Sequence, residues 1–124
     1  MSTIAATTLE ERASSDTIPV ATVVAGATKA WVCIGDTATT PAVEDGFNVS
    51  SITDNGVGDY TVNLTSSLPN ATFCVQATFF GTDNNMIAAQ VVARAVGSFQ
   101  LDIESTATTN YDHDVAAAVF CNAS

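Results

Sequence analysis

The chain has 124 residues, enough for one domain that buries roughly 65–70% of its unfolded surface with no need of a metal or a disulfide. Charged residues make up 13% of it, against about 25% in ordinary soluble domains, so its polar surface is built mainly from Thr, Ser and Asn. The net charge of −10, with only Arg12, Lys29 and Arg94 as basic residues, argues against nucleic acid and anionic membrane as partners, since both demand clustered cations.

Residues 1–28 read as an extended N-terminal arm. The first residues carry neither a basic n-region nor an apolar h-region, so no secretion signal is expected there, and no apolar run approaches the ~20 residues of a membrane span. Leu9-Glu10-Glu11-Arg12 has the composition of a helical turn. Residues 17–24 are apolar and β-branched, with Pro19 confining them to an edge or to a position outside a sheet. An arm of this kind stays ordered when a neighbouring subunit covers it. Ile18, Pro19, Val20, Val23 and Val24 are therefore expected to make assembly contacts.

Residues 29–124 read as a single antiparallel β-sandwich of about seven strands, all-β and jelly-roll-like. The first strand covers 30–34, with Trp31 assigned to the core, and residues 35–45 form a loop containing Pro41. A hairpin follows from Phe47 to Leu64. Apolar and polar residues alternate on both of its arms, and Asn55-Gly56 supplies the positive-φ turn. Further strands cover 71–80, 86–95, 98–106 and 115–121. The segment 98–106 alternates most cleanly, with Phe99, Leu101 and Ile103 facing in and Gln100, Asp102 and Glu104 facing out. The strands at 86–95 and 115–121 are apolar on both faces and so need covering on both. Met86, Val92 and Phe120 are accordingly expected at subunit contacts.

Lys29-Ala30-Trp31-Val32, a short loop, the hairpin from Phe47 to Leu64 and the turn Leu68-Pro69-Asn70 follow one another in that order. Together, over about residues 29–75, they resemble a small β domain of virion-surface and tail-fibre-like proteins of tailed bacteriophages of the marine type. The strand at 115–121 adds a weaker likeness. The chain departs from the family's pattern at Cys33-Ile34 and at Glu44-Asp45. The resemblance implies a virion-surface protein assembled in the bacterial cytoplasm, with other capsid or tail proteins as partners and a homotrimer as its oligomer. It implies no catalytic residue.

The residues offer little chemistry of their own. Asp112-His113-Asp114 is the sharpest metal-ligand candidate, but alternation along a strand or turn seldom lets three consecutive side chains converge, so a polar loop is the stronger reading. The three cysteines, Cys33, Cys74 and Cys121, are an odd number with one per strand, and read as small buried hydrophobes rather than a disulfide framework. Four Asn-x-Ser/Thr sequons, at Asn48, Asn63, Asn70 and Asn122, follow from the Ser/Thr/Asn-rich composition. Glu44, Asp45, Asp102 and Glu104 are the acids available for glycoside hydrolysis, and nothing in the pattern joins two of them in a cleft. No phosphate loop or nucleophile elbow occurs. The expectation is a non-enzymatic structural protein without cofactors, a head-decoration subunit or compact appendage on the virion. The alternative is a tail-fibre or receptor-binding tip that recognises host-surface glycan through Asn84, Asn85 and Tyr111.

Overall fold

The computed structural model describes residues 3, 5–10, 17–35, 39–79, 86–105 and 112–122. Strand β1 (Thr8–Glu10) pairs antiparallel with β2 (Thr17–Pro19), and helix α1 (Val20–Gly26) follows directly. Eight further strands then run in chain order: β3 (Thr28–Gly35), β4 (Ala42–Phe47), β5 (Val49–Gly56), β6 (Asp59–Leu64), β7 (Cys74–Phe79), β8 (Met86–Ala95), β9 (Ser98–Ser105) and β10 (Val115–Phe120).

These eight strands form two four-stranded sheets, in the orders β4-β3-β10-β7 and β5-β6-β9-β8, so the chain is an all-β sandwich. Every pairing is antiparallel. β10, the last strand, lies between β3 and β7 in the first sheet.

A period of two on each central strand builds the core. Ala30, Val32 and Ile34 of β3 and Val115, Ala117 and Val119 of β10 face Tyr60, Val62 and Leu64 of β6 and Phe99, Leu101 and Ile103 of β9, all buried. Fully burying one of the larger of these side chains contributes about 1.5–3 kcal/mol. Phe73, just before β7, closes one end of the core edge-to-face on Phe99, with ring centroids 6.4 Å apart.

Several local expectations need correction. The N-terminal segment is not extended throughout. The Leu9-Glu10 pair lies in a strand instead of a helical turn, and the β-branched run from Val20 is helical. The loop expected over 35–45 contains most of β4, because β3 offers Glu44-Asp45-Gly46 a ladder that their composition does not advertise. That raises the sandwich from about seven strands to eight.

The hairpin also begins later than Phe47. Phe47 ends β4 in the first sheet, and the chain crosses to the second sheet at Asn48, which takes φ 56°. Asn48 Nδ2 donates to the carbonyls of Lys29 and Ser66, both at 3.1 Å, and its Oδ1 accepts from the Ser66 N–H at 2.8 Å. The positive-φ residues of the turn are Gly56 (143°) and Gly58 (65°), while Asn55 stays in β5.

Finally, Trp31 is 38% exposed and points away from the core. Of the three cysteines, all free, only Cys121 is buried: Cys33 is half-buried and Cys74 exposed.

Candidate interaction surfaces

The alternation that buries Ala30, Val32 and Ile34 turns Trp31 and Cys33 to the outside of the first sheet. Register then sets their neighbours. One row runs Phe47, Trp31, Ala118, Gln76 across β4, β3, β10 and β7, and the next runs Asp45, Cys33, Ala116, Thr78. The small Ala116 and Ala118 floor a groove of about 250 Å³ between Trp31 and Cys33 on one side and Gln76 and Thr78 on the other. Phe47 beside it is 56% exposed.

A second feature lies where β7 and β8 approach each other. Thr72, Phe73, Cys74, Val75, Val91 and Arg94 line a notch of about 530 Å³. Arg94 donates from Nη1 to the Phe73 carbonyl and sets its guanidinium 5.8 Å from the centre of the Phe73 ring.

The outer face of the second sheet is polar instead. Asn55 Nδ2 donates to Asp59 Oδ1 (3.0 Å) and Thr61 Oγ1 (2.8 Å), and Gln100 Nε2 donates to the same Asp59 oxygen at 2.7 Å. Asp59 lies opposite Asp102 across β6 and β9. Burial pushes the Asp102 carboxyl above its ordinary value, helped by the charges of Asp59 and Glu104 and by a hydrogen bond with Asp59. Among the described residues, Asp102 Oδ1 is buried without a hydrogen-bond partner. Asp59 is not among the acids that the sequence offers for glycoside hydrolysis. Its pairing with Asp102 depends on the β6–β9 register, which alternation alone does not determine.

The expected assembly residues lie on separate elements. Ile18 and Pro19 are exposed in β2. Val23 and Val24 are exposed on α1, which buries no residue, while Val20 is half-buried and its N–H is bonded to the Thr7 carbonyl at 2.8 Å. The carbonyl of Val24 accepts from Lys29 Nζ. Met86 opens β8 opposite Ser105. Val92, 48% exposed, is the extra residue of a bulge in β8 between Val91 and Ala93. Phe120 is half-buried on the outer face of the first sheet, opposite Cys74 and Thr28.

Asn84, Asn85 and Tyr111 lie outside the described residues. Asp112 acts as a structural tie: its Oδ1 accepts from the Gly58 N–H and from the hydroxyl of the fully buried Tyr60, both at 2.8 Å. His113 rests against Phe79, with ring centroids 5.8 Å apart, and its Nδ1 lies 3.2 Å from the Asp114 carbonyl. Among the described residues, no three His, Cys, Asp or Glu side chains are grouped so as to hold a metal ion. Nor is any helix among them long and apolar enough to cross a membrane.

The sequence offers Trp31 either to the core or as a ring that could stack on a sugar, and its apolar bulk favours the core; the groove beside it is not legible before the strand order is known. Strict alternation with Ala30 and Val32 would have placed the indole outside. Comparison with protein-family models, curated proteins and solved structures finds no match to this chain.

Proposed function

We propose that this chain is a non-catalytic structural subunit on the outside of a tailed-phage particle, a head-decoration subunit or compact appendage. In this reading its N-terminal segment and the exposed apolar residues of the sandwich, among them Trp31, Phe47 and Val92, bind neighbouring subunits, in a homotrimer, and other virion proteins. The observation that carries the assembly role is the uncovered apolar segment: Ile18, Val23 and Val24 are exposed in a helix-containing stretch that buries nothing of its own. The phage setting rests on the resemblance over residues 29–75. Deleting residues 1–28 is expected to release the protein from particles, with the sandwich still folded by circular dichroism. A truncated chain found at normal copy number on purified particles would overturn the role of the arm.

A second reading, recognition of a host-surface glycan, is favoured by one observation. Trp31 stands exposed beside an alanine-floored groove, with the amide of Gln76 and the hydroxyl of Thr78 on the opposite wall. An aromatic face stacks on the C–H face of a sugar while amide and hydroxyl groups bond its hydroxyls. Binding of the isolated protein on a glycan array, lost on Trp31→Ala, is the outcome that would establish it.

A further inference from the structure

We infer that residues 17–24 of one copy add as an outer strand to the edge of β7 in a second copy, an edge that is unpaired among the described residues. The inference rests on the reading that the arm makes subunit contacts and specifies where and how it does so.

The donor segment reads Thr-Ile-Pro-Val-Ala-Thr-Val-Val. Four of the seven residues of α1 are β-branched, and such residues lose side-chain freedom in a helix. The helix also has no side-chain N-cap, no acidic residue in its first turn, no basic residue in its last and no buried residue. A helix this short is marginal without tertiary packing. The same residues suit a strand. Residues 17–19 already form the strand β2, and adding them to β7 exchanges their pairing with β1 for one with β7; on that outer strand Pro19, which has no N–H to give, is accommodated.

The acceptor is identified by comparing the four sheet edges, β4, β7, β5 and β8. Natural edges are protected from further pairing by charges, prolines and bulges. β4 carries Glu44 and Asp45 and pairs through a register shift. β5 has two shifts and Asp54, and β8 has two shifts and Arg94. β7 has none of these: its register with β10 is unbroken, and Cys-Val-Gln-Ala-Thr-Phe contains no charge and no proline.

Electrostatics and shape favour the same pairing. Two copies at −10 each repel except through charge-free surface, and residues 17–28 and 65–79 are both charge-free. The notch beside the β7 edge offers Phe73, Val75 and Val91 as its apolar lining, with Thr72, Cys74 and Arg94 completing it, and the Arg94 guanidinium is held on the Phe73 ring and carbonyl. A strand added there turns alternate side chains towards the notch, so Ile18 and Val20, two residues apart, can enter it together. Strand addition of this kind draws affinity from the main chain and specificity from the side chains that fill pockets.

The test uses the full-length chain and light scattering after size-exclusion chromatography. Wild type is expected to associate. A donor variant, Ile18→Asp with Val20→Asp, and an acceptor variant, Gln76→Lys with Thr78→Lys, are each expected to run as monomers. An equimolar mixture is expected to recover a two-chain species, since one intact donor segment and one intact edge remain, and that recovery also shows that both variants are folded. A monomeric wild type, a donor variant that still associates, or a mixture that stays monomeric would each overturn the inference. If Trp31→Asp dissociates wild type while the donor and acceptor variants remain associated, strand addition is refuted and the assembly reading survives on the outer face of the sheet.

Discussion

Asn48 combines a left-handed backbone with three side-chain hydrogen bonds, and it sits where the chain leaves one sheet for the other. A left-handed conformation costs most L-residues roughly 1–2 kcal/mol, and asparagine is among the few that adopt it readily. Asn48→Ala should lower stability by about 2–3 kcal/mol through the lost bonds and the strained backbone, read as a shift of the urea midpoint. Asn48→Gly should recover part of that loss, because glycine removes the strain and leaves only the missing bonds. At the hairpin tip, Tyr60→Phe removes one of the two donors to Asp112 and should cost about 1 kcal/mol. Asp102 makes stability depend on pH. Its pKa is raised in the folded chain, so the native state binds the proton more tightly than the unfolded one. Stability should therefore rise as pH falls from neutral through the raised pKa towards the ordinary carboxylate value. Asp102→Asn should flatten that rise and stabilise the protein at neutral pH, as measured by chemical denaturation across the pH range.

At the level of elements, the strands were most legible where alternation is clean. In β9 every inward and outward assignment from Phe99 to Glu104 agrees with the structure, because both faces differ sharply in polarity. β4 was not legible, since Glu44-Asp45-Gly46 has the composition of a loop and becomes a strand only through its bonds to β3. The outward turn of Trp31 shows a different limit. Residue type favoured burial, but the sandwich admits the smaller Ala30 and Val32 on the inner face and leaves the indole on the outer one. The uncharged, unbroken edge of β7 could not be recognised before the strand order was known, because charge protection matters only on an edge. For α1 the run of valines pointed to an extended segment, and the helix that forms buries none of them. Val23→Pro should therefore leave the unfolding free energy of the sandwich, measured at a concentration where the chain is monomeric, unchanged within about 0.5 kcal/mol, despite the ~3 kcal/mol that proline costs inside a helix.

Across the whole molecule, the charge imbalance acts on every copy at once. With three basic residues against thirteen acidic ones, the folded chain repels itself and its neighbours, and counter-ions relieve both effects. Raising the ionic strength from about 0.02 to 0.5 M shortens the screening length severalfold. Thermal stability and self-association should both increase over that range. Association driven by ion pairs would weaken instead, so sedimentation at two salt concentrations separates the alternatives.

The place of β10 in the middle of its sheet also governs when the protein can fold. β3 emerges from the ribosome early, yet its partner from Val115 onward is the last strand of the sandwich to be made, and β7 waits for the same strand. Until then the first sheet is split into two pieces with a gap between them, and their inner faces have no finished layer to pack upon. Pairings between such distant segments are slow to form. A nascent chain halted before residue 115 should therefore remain sensitive to protease, and resistance should appear in a single step once the whole of β10 has cleared the exit tunnel. The sandwich would thus be made after synthesis of its last strand, and any contact between copies that needs a finished β7 edge would be deferred to the same moment.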